Sequence, residues 1–407
     1  MPLSTLSNAF LASMSSHAES SASTAAGLIG RSLCDPAVET PAFVIDDDKL
    51  EANLQAGLRK AAELGVTLRP HLKTHKCADI ARRQMQTPQG PATVSTLAEA
   101  RAFAAAGIKD LIYAVGIAPQ KLSAVAEIRR MGCDLKIILD STAAAHAVSD
   151  FCRTHQCEMP VLLEVDVDGH RSGLAPESDA LIDAAKALTD GAIFKGVLTH
   201  AGGSYDHEGW TNAEQAAVNE RDRILVAVKH LADAGFRSEI VSIGSSPTFM
   251  ASADMTGITE VRAGVYALWD LFQANLGVTT VDRIAGSVLC TVIGHQAEKG
   301  QVITDAGWMA LSRDRGTARQ HHDYGYGLVC DVEGRVLEDG TLTVTGANQE
   351  HGIITSSARK LRPEDYPIGT RLRILPNHAC PTCALYERLL LVNGTEIIAC
   401  PTHVRGW

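Results

Sequence analysis

The spacing of apolar and polar positions changes character twice along the chain. From Thr40, the run Pro41-Ala42-Phe43-Val44-Ile45-Asp46 reads as a strand, and from Lys49 to Ala62 apolar residues recur at helical spacing. Short β-prone runs then alternate with helical segments. The runs fall at 66–73, 92–96, 110–114, 135–140, 161–167, 193–200, 240–244 and 260–265, and helical patterns such as 97–106, 119–130, 141–154, 176–188 and 213–234 lie between them. Eight β units separated by helices over roughly 230 residues predict an α/β fold of the (β/α)8 TIM-type barrel. An open doubly wound sheet is the competitor, but the phosphate-cradling glycine fingerprint of its dinucleotide-binding form is missing after the first strand. After about Val278 the runs 285–293, 301–304, 327–332, 342–345 and 370–375 are short, close together and separated by Gly, Asn and Asp turns. They predict a C-terminal all-β domain. The expected organisation is an N-terminal segment over 1–38, disordered or extended, a barrel over 39–278, and a β domain over 279–407 with which strand 42–46 can pair.

Length and composition agree with that division. A chain of 407 residues is too long for one ordinary core. Its net charge of −10 argues against a nucleic-acid surface, which needs clustered Lys and Arg, and no apolar run approaches the roughly 20 residues of a membrane span. Ten cysteines are scattered without the dense, regular spacing of a secreted disulfide scaffold, which points to a reducing, intracellular and most simply cytoplasmic setting. The Ser- and Ala-rich start is compatible with organellar import, although no Arg precedes Arg31.

Candidate chemistry gathers at the predicted strand ends, the face on which barrel enzymes carry their sites. The first strand runs into Arg69-Pro70-His71-Leu72-Lys73-Thr74-His75-Lys76. Alternation along an extended segment would put Arg69, His71 and Lys73 on one face, three basic groups suited to an anion or electron sink, and a lysine so placed is a nucleophile for carbonyls. The fifth strand leads to Asp168-Gly169-His170-Arg171, the sixth to Thr199-His200-Ala201-Gly202-Gly203-Ser204-Tyr205, and the seventh to Gly244-Ser245-Ser246-Pro247-Thr248. The Gly-Ser-Ser run offers closely spaced N–H groups and two hydroxyls where barrels hold phosphate. In the β domain, His378 and Cys380 are two apart, so an extended segment would turn both toward one cation, and the thiolate favours zinc over manganese or magnesium. Cys380 and Cys383 could instead be half of a structural zinc knuckle, but no second pair follows at suitable spacing, only Cys400 and His403, so a closed structural site ranks lower. The clusters Asp305 to Asp314 and Glu350-His351-Gly352 read equally well as turns and as site residues.

The ordered set RPHLKTHK (69–76), TVSTLAEA (93–100), THAGGSY (199–205), GSSPT (244–248), DAGWMALSRD (305–314), EHG (350–352) and PNHACPT (376–382) resembles the D-threonine aldolase and D-serine dehydratase family. These are fold-type III pyridoxal 5'-phosphate enzymes related to alanine racemase, and the resemblance covers roughly residues 40 to 405. It implies an alanine racemase-like barrel with a C-terminal β domain and a homodimer acting on a D-amino acid. By the same resemblance, Lys73 would join the cofactor's aldehyde, Gly244, Ser245 and Ser246 would bind its phosphate, Tyr205 would contact it and Arg171 would lie near its ring. His71 and His200 would complete the catalytic group, and His378 and Cys380 would hold a divalent metal beside the substrate hydroxyl. The expected activity is cleavage of D-3-hydroxy amino acids of the D-threonine type to glycine and an aldehyde. The alternatives are D-serine dehydration, a D-3-hydroxyaspartate aldolase or dehydratase, and a non-catalytic cofactor carrier. Some aldolases of this family carry His-x-Asp where this chain has His378-x-Cys380, whereas the dehydratase branch carries His-x-Cys.

Overall fold

A computed structural model describes residues 27–206 and 208–407. Eight parallel strands, Thr67–Leu68, Ala92–Val94, Asp110–Gly116, Asp134–Leu139, Met159–Glu164, Ala192–Leu198, Ile240–Ile243 and Glu260–Val261, form one sheet in chain order. The first pairs with the last, and a parallel bridge between His71 and Thr93 joins it to the second, which closes the ring. Side-chain alternation divides the strands between two environments. Leu111, Tyr113, Ile137, Leu139, Val161, Leu163 and Val197 pack outward in the main core with the helices, whereas Ile112, Ile138, Leu162 and Leu198 form a small cluster of their own. Helices between the strands start on side-chain caps: Asp46 accepts from Lys49 N, Thr96 from Glu99 N, and Ser141 from Ala144 N.

The first strand is shorter than its sequence pattern, and this corrects the placement of Arg69. The regular strand ends at Leu68, although Arg69 N and His71 N still donate to Val261 O and Ala263 O, and Leu72–Thr74 is a 3-10 turn. Arg69 is buried and faces Glu260 at 2.8 Å and Asp110 at 2.7 Å, while Lys136 reaches Asp110 at 2.8 Å and Asp134 at 2.7 Å. Its charge is thus neutralised inside the barrel, and it does not join His71 and Lys73.

The second sheet has nine strands. Ala42–Asp46 lies inside it, antiparallel to Gly286–Gln296 and parallel to Leu389–Asn393. Strands Gly352–Ser356, Leu389–Asn393 and Glu396–Ala399 were not among the predicted runs. Of the segment 1–38, residues 1–26 lie outside the described residues. The rest is not free: Gly30 N donates to Ile397 O, Leu33 N donates to Thr395 O, and Leu33 and Val38 are buried against Val44, Leu289 and Ile397. Those two apolar side chains, too few to make a pattern, are enough to anchor the segment to the sheet. Among the described residues no helix is long and apolar enough to cross a membrane.

Candidate active site

At the C-terminal ends of the barrel strands, the second sheet closes over a cavity of about 410 Å³. His71, Lys73, Arg171, His200, Tyr205, and the loop Gly244-Ser245-Ser246 line its barrel wall, and His378 and Cys380 line the other. The structure therefore brings every one of those sequence-stated candidates to one space and leaves Arg69 out of it.

Lys73 stands at the centre of the 3-10 turn and is exposed to the cavity. His71 caps that turn, its Nδ1 accepting from the Lys73 N–H at 3.5 Å, and its Nε2 lies 3.3 Å from Ser95 Oγ. Burial, with Lys73 and Arg262 nearby, holds His71 well below the usual imidazole range, so it is neutral. His200 is neutral for the same leading reason, pushed down to about 3 by burial and by nearby cations against a hydrogen bond to Gly244 O. That bond, 2.8 Å from Nδ1, ends on a carbonyl that can only accept, so the proton sits on Nδ1 and Nε2 is left as an acceptor.

The opposite end of the barrel wall is built around one buried carboxylate that the sequence did not single out. Glu220, in the helix Trp210–Asp233, accepts from Ala201 N at 3.0 Å, Gly244 N at 2.9 Å and Thr248 Oγ1 at 2.7 Å. Burial pushes its carboxyl up, and these three donors oppose that shift. Thr248 in turn donates its N–H to Ser245 Oγ, which also meets Ser204 Oγ at 3.0 Å. Gly244 has φ +136°, and a Cβ there would lie 2.2 Å from Arg262 O, so only glycine fits. A Cβ on Gly264 would press to 2.8 Å from His71 O, and the Gly264 N–H has no partner among the described residues. Tyr205 approaches the Ser246 backbone, with its phenol pushed up by burial. A small pocket with two glycines, two serine hydroxyls and an unpaired N–H suits a phosphate.

The second wall is tied to the barrel through its backbone. Leu271 N donates to Pro376 O and Phe272 N to Asn377 O, both at 3.1 Å, and Ala379 N donates to the buried Asp270 carboxylate at 2.9 Å. His378 and Cys380 thus flank a clamped residue. They do not lie on an extended segment, as alternation suggested: His378 is the N-cap of a short helix, Ala379–Cys383, and Cys380 is within it. They still face the same cavity, each close enough to shift the other's proton affinity. Burial alone would raise the Cys380 thiol, but His378, Lys73 and the Thr74 hydroxyl, 3.3 Å from Sγ, hold it below its usual value. His378 Nδ1 lies 2.7 Å from Asp314 Oδ2, which orients the ring and leaves Nε2 for another partner. Among the described residues no three His, Cys, Asp or Glu side chains converge into a complete metal shell. Two soft-to-borderline donors with an orienting carboxylate fit a divalent cation whose remaining positions are open. Cys383 stays a buried thiol raised by its surroundings, with His403 Nδ1 at 3.9 Å from its sulfur.

Arg262, Asp270, Gln273, Asp314 and Arg319 also line the cavity. Only Asp314 fell in a cluster marked by its polarity. The others sit in stretches whose sequence reads as strand end or short helix, and long-range pairing places them here.

Residues 45–270 match the family model described as "Alanine racemase, N-terminal domain", and residues 285–392 match the "Putative serine dehydratase domain". The chain is similar to D-threo-3-hydroxyaspartate dehydratase of Delftia sp. (strain HT23), at 45% identity over 91% of this chain and 98% of the relative. A solved structure of that enzyme superposes with a TM-score of 0.88 at 44% identity, covering 92% of this chain and 100% of the other. D-serine dehydratase of Dictyostelium discoideum is 28% identical over 89% of this chain and 95% of its own length. D-threonine aldolase of Arthrobacter sp. is 28% identical over 88% of this chain and 89% of the relative.

Proposed function

The chain belongs to the alanine racemase-like family that carries a serine dehydratase-type second domain, and on that premise we propose that it is a pyridoxal phosphate-dependent lyase that removes water from D-3-hydroxy amino acids. The observation that carries this reading is the meeting of Lys73 and the His378–Cys380 pair in one cavity, linked through Thr74. Dehydration needs a base for the proton on Cα and help for the hydroxyl leaving Cβ, on neighbouring atoms. The two walls offer one each.

Lys73, Gly244, Ser245, Ser246 and Gly264 would hold the cofactor, with the phosphate against the glycine and serine groups. When bound, it supplies an electron sink that makes the Cα proton acidic. Lys73 Nζ takes that proton. Burial holds the imidazoles of His71 and His200 low and so makes them weak bases, which leaves Lys73 Nζ as the proton acceptor on this wall, and Tyr205 closes the space beside the phosphate loop. His378 Nε2 and Cys380 Sγ would hold a divalent cation, which supplies Lewis-acid assistance to the departing hydroxyl. Asp314 keeps His378 in the orientation that this requires. The net change is a 3-hydroxy amino acid to a 2-oxo acid and ammonia, water being lost and regained.

Dehydration is placed ahead of D-threonine-type aldol cleavage because His378-x-Cys380 accords with the dehydratase branch and because the 45% identical relative is a dehydratase. Incubating the purified holoenzyme with D-threo-3-hydroxyaspartate, D-serine and D-threonine decides the matter. Ammonia and a 2-oxo acid without glycine are expected. Glycine and an aldehyde as main products would restore the aldolase.

A further inference from the structure

The stretch TVSTLAEA (93–100) supplies none of the groups assigned to the reaction, yet it carries a carboxylate that no solvent reaches. Glu99, on the helix Leu97–Ala105, is fully buried and does not line the cavity. Burying a carboxylate is costly unless it is paired, and both partners of this one lead to the turn that carries Lys73. Oε2 accepts from Ser95 N at 2.8 Å, and Oε1 lies 3.1 Å from Lys76 Nζ, an ion pair without the alignment of a hydrogen bond.

The two contacts reach the Lys73 turn from opposite ends. Ser95 Oγ is 3.3 Å from His71 Nε2, and His71 caps the turn by accepting from the Lys73 N–H. Lys76 closes the other end: its N–H donates to Leu72 O at 2.8 Å, and its carbonyl accepts from Val404 N at 2.8 Å. The φ of Lys76 is +50°, in the left-handed region that a residue with a side chain adopts at a cost, and such a conformation persists only where the surroundings impose it. Lys76 is tied at its N–H, its carbonyl and its ammonium. One carboxylate thus reaches residue 71 through Ser95 and residue 76 directly, with Lys73 between them.

A buried ion pair is by itself weak evidence for stability, because desolvating both groups offsets much of their attraction. Its place in the molecule says more. Among the described residues no side chain pairs with Lys73 Nζ, so the backbone on which it stands sets where the amine is. An amine that must join a carbonyl and then take a proton from Cα works from a narrow range of positions. Lys76, the second amine of the motif, does not line the cavity, its side chain being turned to Glu99.

We propose that Glu99 is a positioning residue for Lys73: by holding His71 through Ser95, and Lys76 directly, it fixes both ends of the turn from which the amine acts. This rests on the reading of Lys73 as cofactor anchor and base given above. Val404, in the chain after the strand Glu396–Ala399, adds a further tie through the Lys76 carbonyl.

The test compares the wild-type holoenzyme with Glu99→Gln, Lys76→Met and Lys76→Arg. Glu99→Gln keeps the shape of the side chain but turns an amide N–H toward one of the two donors. In it and in Lys76→Met, kcat on the hydroxy amino acid that wild type dehydrates best should fall by about 10- to 100-fold, the scale of a reacting group misplaced by about 1 Å, with KM within about twofold of wild type. Lys76→Arg keeps the charge and should recover part of the loss, and the double variant Glu99→Gln with Lys76→Met should lose little more than the worse single. A second readout does not depend on turnover: the rate at which cofactor-free, full-length protein captures added pyridoxal 5'-phosphate as a borohydride-reducible link on Lys73. It should slow by about 10-fold in Lys76→Met. Lowered urea midpoints with wild-type kcat and capture rate would make the pair structural only and overturn the positioning role. Should Glu99→Gln fail to fold, Lys76→Met, on the partly exposed partner, decides by the same measurements. If wild type dehydrates no hydroxy amino acid and capture still slows in these variants, the reaction is wrong and the positioning stands. Dehydration and capture that neither variant alters sink the positioning alone.

Discussion

The two walls of the cavity are organised by different means. On the barrel side, one buried carboxylate, Glu220, collects donors from the His200 loop, the Gly244 loop and Thr248, so the end proposed for the phosphate is arranged by the barrel's own interior. On the other side, His378 and Cys380 are positioned by bonds that cross between sheets: Pro376 and Asn377 to the 271–272 backbone, Ala379 to Asp270, His378 to Asp314. The first arrangement is local to one fold. The second exists only when both parts of the chain are docked. Cofactor retention and turnover should therefore respond separately to damage.

Lys73→Ala is expected to have the largest effect, lowering turnover at least about 10⁴-fold by removing both the anchoring amine and the base. Borohydride reduction followed by peptide mass measurement checks it. A reducible adduct surviving on Lys76, which instead pairs with Glu99 at 3.1 Å, would move the anchor to that residue. His378→Ala and Cys380→Ala should cost about 10²- to 10³-fold in turnover and lower the metal content of dialysed protein, with cofactor absorbance retained. Loss of cofactor in these variants would erase the distinction between the walls.

Glu220→Ala should do the reverse. It leaves three buried donors unpaired, at about 4 kcal/mol of stability, and should speed cofactor loss on dialysis while turnover per bound cofactor changes little. Glu220→Gln, able to accept from some of the donors, should lie between. The smallest expected effect concerns His75, on the Lys73 turn but facing His403 of the second part of the chain. Burial pushes its imidazole down to about 4, with Nδ1 accepting from Cys77 N and Nε2 facing Gln84 Oε1 at 2.9 Å. Since the folded value lies below the unfolded one, the unfolded chain takes up the proton first. Stability is then full above about pH 6.5 and falls by about 3 kcal/mol as pH drops toward 4. Urea midpoints across that range should show the slope, and His75→Asn should remove about that much of it, leaving the part that the buried His71 and His200 contribute with the same sign.

The barrel was legible because its strands are short apolar runs at regular intervals and its helices carry 3.6-residue periodicity, both local signals. The strands Leu389–Asn393 and Glu396–Ala399 were not, since runs of four and three apolar residues have meaning only once Ala42–Asp46 is known to lie beside the first of them. The same division runs through the site. His71, Lys73, Gly244 and Cys380 stand in motifs whose residue types announce their chemistry. Glu220 is one acid in a long polar helix; what separates it from the others is which donors it finds, and no local pattern encodes that. Alternation misplaced Arg69 because it gives a face and not a depth: two residues before His71, Arg69 is buried inside the barrel, where Glu260 and Asp110 take its charge.

The position of Ala42–Asp46 bears on how the molecule is made. This strand leaves the ribosome before any part of the barrel, yet one of its neighbours, Leu389–Asn393, follows the whole barrel in the chain. Through most of translation it presents an open hydrogen-bonding edge and the apolar side chains Phe43, Val44 and Ile45, with the barrel free to assemble downstream of it. Completion of the enzyme is thus a late, long-range event, and the wall carrying His378 and Cys380 is assembled with it. A nascent or truncated chain stopping before Leu389 would display a sticky strand and lack a finished second wall, so Leu389–Asn393 cannot be removed without also uncovering Ala42–Asp46.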